Sequence, residues 1–154
     1  MRRWLQVTCV SFVLAVTALV AAQQSDELPV VTSRELKKMD WSQVVVLDAR
    51  PTVMYEREHI SGARSLPTML FKQRYEERAA AIPKSMLLVT YCGGPTCSKS
   101  TLLAQKLAER GHRVAVLKGG LVEWKAAGFP VEASTPPQEA QAEGQSAGVC
   151  VMYL

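Results

Sequence analysis

Apolar residues in this chain form unbroken runs in some places and helical spacings in others. Val44-Val45-Val46-Leu47 and Met86-Leu87-Leu88-Val89-Thr90-Tyr91 lack the polar alternation of a half-exposed strand. Runs of that kind belong to strands covered on both faces, as in a parallel sheet. Arg113 to Leu117 reads as a third strand. Thr32-Ser33-Arg34-Glu35 has the form of a capping box, with Thr32 as cap, so a short helix is expected from Ser33 to Met39. Helical character returns over Thr68 to Ala81, with Leu70, Phe71 and Tyr75 as packing residues. It is clearest over Ser98 to Arg110, where Leu102, Leu103, Leu107 and Ala108 form the expected buried stripe and Gly111 marks the stop. Gly62 to Pro67 reads as a turn. Gly119-Gly120 turns the chain into a short helix over Leu121 to Ala127, closed by Gly128, with Trp124 in the core. Alternating strands and helices predict a three-layer α/β domain over 28–131, with a central, mainly parallel sheet flanked by helices.

The two ends differ from this body. Met1-Arg2-Arg3, the uncharged and mostly apolar Trp4 to Val20, and the small residues Val20-Ala21-Ala22 have the layout of a signal peptide over 1–22. Left uncleaved, the same run is long enough to serve as a membrane anchor. The expected location is therefore periplasmic or secreted, with an inner-membrane anchor facing the periplasm as the alternative. Residues 132–154 are rich in Pro, Gln, Glu, Ala and Ser and read as a flexible tail. The formal charge of +4 falls when Arg2 and Arg3 leave with the leader. Glu132, Glu139 and Glu143 lie in a tail without bases, so the body is mildly basic. That suits small anionic ligands and is too weak and scattered for a nucleic-acid footprint.

The cysteines bring in chemistry. Cys9 lies in the leader, which leaves Cys92, Cys97 and Cys150. An odd number in an oxidising compartment leaves at least one thiol free or intermolecular. Cys150 gains no role from its surroundings. Cys92 ends an apolar strand, and Gly93, Gly94, Pro95, Thr96, Cys97 and Ser98 lead from it into a helix. Ligands bind at the carboxyl ends of strands in an open α/β sheet. Gly93 and Gly94 let the loop curl its N–H groups inward as an anion nest, and the helix start, with Ser98 as expected cap, adds its positive end. Both effects favour a nucleophilic Cys92 thiolate. Cys97 has three readings: a resolving thiol, a partner in a reversible disulfide, or a loop residue that never meets Cys92. The spacing predicts that the oxidised protein forms some Cys92–Cys97 bond. Only His59 and His112 are available to complete a metal site, so none is expected.

Taken in order, the motifs resemble the single-domain rhodanese-like (sulfurtransferase) family. Val46-Leu47-Asp48-Ala49-Arg50 looks like its early strand and Asp-x-Arg signature. Glu56-x-x-His59-Ile60-x-Gly62-Ala63, with Pro67 following, matches its next segment. Tyr91-Cys92 and the five residues after it match the active-site loop, and Gly119-Gly120-x-x-x-Trp124-x-x-x-Gly128-x-Pro130-Val131 matches the C-terminal signature. The resemblance implies that Cys92 accepts a sulfane sulfur from thiosulfate or a persulfide and passes it to a thiol or cyanide, with no cofactor. Loop N–H groups from Gly93 to Ser98 would cradle that sulfur. Asp48 and Arg50 would support the loops by charge pairing, and His59 would belong to a structural segment. Cys97 stands where many active members carry a base that binds an anionic donor, which puts a small or protein-borne persulfide level with thiosulfate. Lys99 is then the best placed anion contact, ahead of Arg64. Implied partners are the small donor and acceptor and a protein thiol, with a membrane only if the leader stays. The competing readings are an envelope thiol–disulfide redox protein using Cys92 and Cys97, and a non-catalytic rhodanese-like binding module.

Overall fold

The computed structural model describes residues 27–134; the leader-like 1–22 and nearly all of 132–154 lie outside them. The elements run β1 (Val30–Val31), α1 (Ser33–Lys38), β2 (Val44–Asp48), α2 (Thr52–Arg57), β3 (His59–Ile60), β4 (Arg64–Ser65), a 3-10 turn (Thr68–Leu70), α3 (Phe71–Arg78), β5 (Leu87–Tyr91), α4 (Lys99–Ala108), β6 (Arg113–Leu117), α5 (Gly120–Ala126) and β7 (Val131–Glu132). Five strands form one sheet in the order β1-β6-β5-β2-β4, and every pairing in it is parallel. β3 and β7 make a small antiparallel pair. Glu132, the first residue assigned to the tail, closes β7 and accepts from the Gly62 N–H at 3.1 Å.

The unbroken apolar runs are explained by two cores. Val45, Leu47 and Leu88 pack against Phe71, Tyr75, Leu103 and Leu107 on one face. Val44, Val46, Val89 and Tyr91 pack against Leu36, Leu121 and Trp124 on the other. Side chains alternate across a strand, so helices on both faces require apolar residues at every position. This is the three-layer α/β architecture. The Thr32 capping box forms in full. Thr90 is fully buried and donates its hydroxyl to the Ser100 carbonyl at 2.9 Å, fastening β5 to the start of α4.

Several boundaries shift. The helix expected over Thr68 to Ala81 breaks into the 3-10 turn and α3, though Phe71 and Tyr75 are buried as expected. α4 buries Ser100, Leu103, Ala104 and Leu107, while Leu102 and Ala108 face solvent. The helix is rotated so that the small Ser100 and Ala104 lie inward, where close approach to the sheet favours them over Leu102. Ser98 makes no capping hydrogen bond, because its own backbone is already helical (φ −81°, ψ −7°) rather than extended.

At the end of the sheet where α4 finishes, His112 is buried, with Nε2 3.0 Å from the Tyr75 hydroxyl and 2.7 Å from Lys84 Nζ. Its Nδ1 has no partner, and the Arg110 guanidinium covers Tyr75 at 4.6 Å. Burial, and then the Lys84 charge, push the imidazole pKa down. The unfolded chain takes up a proton near pH 6.5 and the folded chain only at lower pH. The stability this group contributes is therefore fully present above about pH 6.5 and is lost as pH falls from there through the lowered folded value. Urea unfolding at pH 7 and pH 5 should show a smaller loss of stability in His112→Phe than in the wild type. An equal loss would remove His112 from the explanation.

Candidate active site

β2 and β5 are neighbours whose onward connections leave in opposite directions, β2 toward β4 and β5 toward β6. A crevice opens outside the carboxyl ends of the strands at such a reversal, and ligands bind there. Asp48 and Tyr91 are register partners at those two ends. The Ala49 N–H donates to the Tyr91 carbonyl at 2.9 Å, so the segments after β2 and β5 leave the sheet side by side.

Cys92 follows β5 and is 4% exposed. Its Sγ is bonded to Cys97 Sγ, with the Cα atoms 6.1 Å apart. The bond that the spacing predicts is thus present, and Cys97 does meet Cys92. Cys97 is the more open of the two cysteines, and Gly93 and Gly94 are also half-buried; Pro95, Thr96 and Ser98 are exposed.

The loop backbone is held from the side of α5. The Leu121 N–H donates to the Cys92 carbonyl at 2.8 Å and the Val122 N–H to the Gly93 carbonyl at 3.0 Å. In a trans peptide the carbonyl and the following N–H point opposite ways. The Gly93 and Gly94 N–H groups therefore turn away from α5. Among the described residues, the N–H groups of Gly93, Gly94, Thr96 and Ser98 meet no backbone carbonyl. The Cys97 N–H is spent on the Gly94 carbonyl at 3.2 Å, so it does not join the cradle expected from the whole loop.

Gly120 makes this contact possible. Its φ is +57°, and a Cβ there would sit inside van der Waals contact of the Cys92 carbonyl oxygen, 2.9 Å from the Cys92 carbonyl carbon and 3.3 Å from the Gly94 nitrogen. Gly120, Leu121 and Val122 hold the loop, and the sequence reading missed them. The Gly119-Gly120 pair was their only visible signal.

Asp48 and Arg50 form a buried pair beneath the loop. Arg50 Nε donates to both carboxylate oxygens at 3.0 Å, Nη2 to Oδ2 at 2.7 Å, and the Arg50 backbone N–H to Oδ1 at 2.8 Å. Nη2 also donates to the Glu58 carbonyl. Burial works against the guanidinium charge, but the bonds and charge of Asp48 outweigh it and raise the Arg50 pKa. The Arg50 Cδ lies 3.9 Å from where a Gly93 Cβ would be, so the side chain supports the loop from below. Tyr91 is buried between these charges and the Ile60 N–H, which donates to its hydroxyl at 3.2 Å. Burial first, and Asp48 second, push its pKa far up, so it stays a neutral phenol.

The remaining expected residues fall in two groups. Lys99 opens α4, is exposed, and lines a cleft beside the loop. Arg64 lies on β4 and is exposed. His59 is 2% exposed, stacks on Tyr55 at 3.7 Å, and contacts the Tyr55 carbonyl and Glu132, which is a structural setting.

The family model described as Rhodanese-like domain matches residues 32–127, which include the loop, the Asp48–Arg50 pair and α5. The chain belongs to the rhodanese-like domain family. It is 38% identical over 92 residues to a thiosulfate sulfurtransferase GlpE of Coxiella burnetii, covering 59% of this chain and 78% of that protein. It is 29% identical over 125 residues to the HTH-type transcriptional regulator Rv0324 of Mycobacterium tuberculosis, covering 80% of this chain and 54% of the regulator. The chain thus spans about half of that regulator's length. Among solved structures, BH2092 of Bacillus halodurans superposes with a TM-score of 0.61 at 28% identity, covering 69% of this chain and 77% of that one. The rhodanese-like domain described here is therefore related to sulfurtransferases, and its Cys92 is paired with Cys97.

The contact with α5 makes Gly120→Ala the sharpest test of loop geometry. A left-handed backbone costs a residue with a Cβ about 1–2 kcal/mol, before any clash with Cys92. In the reduced variant, alkylation of Cys92 should slow and the thermal midpoint should fall. Wild-type alkylation in Gly120→Ala would show that the α5 contact does not set the loop.

Proposed function

We propose that Cys92 and Cys97 act as a dithiol–disulfide pair that reacts with substrate thiols, with Cys92 as the nucleophile of the reduced form. The observation behind this is the closed bond at the position where the family resemblance puts a sulfur-accepting cysteine. A Cys92 sulfur held in that bond has no thiolate with which to attack a donor. Two thiols, which leave joined as a disulfide, must supply two electrons to open it first. A closed disulfide suits the oxidising compartment that the leader-like residues 1–22 imply.

Family membership and the likeness to a thiosulfate sulfurtransferase favour a second reading for the reduced state. The Cys92 thiolate attacks the outer sulfur of thiosulfate or a persulfide, and the donor fragment leaves. A thiol or cyanide then takes the sulfur from Cys92, which is a covalent ping-pong cycle. Cys97 adds a branch to it. Its thiolate attacks the inner sulfur of the Cys92 persulfide, the disulfide re-forms, and hydrosulfide leaves. The two readings share one nucleophile and differ in what Cys97 is for.

Purified full-length protein, assayed for thiol–disulfide exchange and for sulfur transfer from thiosulfate and from a persulfide to cyanide, separates them. Exchange should fall to background in both Cys92→Ala and Cys97→Ala. Sulfur transfer should fall to background in Cys92→Ala and persist in Cys97→Ala. Exchange at the wild-type rate in Cys97→Ala would reject the pair, and transfer surviving in Cys92→Ala would reject Cys92 as nucleophile.

A further inference from the structure

A cleft of about 200 Å³ lies beside Lys99, two residues after Cys97 at the start of α4. Ala49, Pro51, Pro67, Met69 and Leu70 give it apolar walls, and among the described residues Lys99 is the one charged residue that lines it. Thr68 fixes its shape, since its N–H donates to the Ala49 carbonyl at 3.2 Å and its hydroxyl to the Lys99 carbonyl at 2.9 Å. The segment after β2, the 3-10 turn and the start of α4 are thereby tied around one space. Met69 is 82% exposed, a large apolar side chain left in solvent at the rim. Lys99 forms no ion pair with any described residue. Two peptide units separate it from Cys97, so their Cα atoms lie within about 7.6 Å.

We propose that this cleft binds a small thiol with an apolar body and a carboxylate, and delivers its sulfur to Cys97 rather than to Cys92. The inference rests on the dithiol–disulfide reading and names its substrate class. The apolar body lies on Pro67, Met69 and Leu70, and the carboxylate pairs with Lys99. Cys92 is buried and Cys97 is the more open residue of the pair. The sulfur attacked and the leaving group both govern thiol–disulfide exchange. The incoming thiolate forms a bond to Cys97 Sγ as the Cys92–Cys97 bond breaks, and the electron pair leaves on Cys92. That thiolate is the better leaving group, because the outward-turned Gly93 and Gly94 N–H groups and the start of α4 stabilise its charge. A second thiolate then attacks the sulfur of the first, releases it as a disulfide, and frees Cys97 as a thiolate that takes a proton from water. Reductant and sulfur donor thus meet different sulfurs of the same loop.

Three thiols test the idea on the oxidised full chain: mercaptohexanoate, mercaptohexanol, which lacks the charge, and mercaptopropionate, which lacks the length. With rates corrected for thiolate fraction, mercaptohexanoate should be fastest and should saturate. Lys99→Ala should remove its advantage over mercaptohexanol, roughly two- to fivefold for an exposed pair. Thr52→Trp, which fills the cleft from the half-exposed start of α2, should remove its advantage over mercaptopropionate, up to about fourfold per buried methylene. Trapping with iodoacetamide and fragment mass spectrometry should find the first mixed disulfide on Cys97. An adduct on Cys92, or rates that ignore charge and length, would overturn the proposal. Hexanoate, which carries no thiol, tests the cleft apart from the redox reading. It should shift the Met69 and Leu70 methyl resonances in the wild type, and the same shift in Lys99→Ala should need roughly two- to fivefold more hexanoate. No shift in the wild type would reject the cleft even if the disulfide proves fully reducible.

Discussion

Two hydrogen bonds decide what the cysteine loop presents to the crevice. The Leu121 and Val122 N–H groups of α5 donate to the Cys92 and Gly93 carbonyls, at 2.8 and 3.0 Å. Peptide planarity then forces the next two N–H groups to the other side. A loop without these bonds is free to turn its carbonyls toward the sulfur, which repels a thiolate instead of stabilising it. The contact demands an approach so close that position 120 has room for hydrogen only. It also demands that α5 be fixed, and Trp124 does this, with its ring buried in the core and its Nε1–H on the Pro130 carbonyl at 2.9 Å.

The loop's other support is electrostatic. Asp48 and Arg50 lie under it as a pair joined through Nε, Nη2 and the Arg50 backbone N–H, each almost wholly out of water. Removing one member of such a pair costs about 3–5 kcal/mol, because the other charge is left buried alone. The pair is also neutral as a unit, so it holds the loop without supplying the free positive charge that an anionic substrate needs. Lys99, exposed at the start of α4, carries a charge that forms no ion pair with any described residue.

Much of this was legible in the sequence, for definite reasons. Strands covered on both faces leave unbroken runs, and Val44 to Leu47 and Leu87 to Tyr91 carry that mark. The capping box at Thr32 is a local device, so its residues announce it. The Cys92–Cys97 bond spans five positions and was foreseeable from spacing. What depends on distant approach was hidden. Gly120 looked like a turn residue, because nothing local says that the Cys92 carbonyl lies against it. The stripe on α4 was misread because Leu102 is more apolar than Ser100, while the sheet needs a small side chain there. The two-residue strands β1, β3, β4 and β7 are too short to leave a pattern. The cleft draws on three separate segments, and only the topology brings them together.

The central claim is that the Cys92–Cys97 bond is a working redox couple and not a structural staple. Equilibrating the full chain in glutathione buffers of graded potential, then counting alkylated thiols at Cys92 and Cys97 by mass, tests it most directly. The claim predicts a reversible two-electron transition within the glutathione range. A bond that stays closed below about −300 mV, as structural disulfides do, or two thiols that never join, would contradict it.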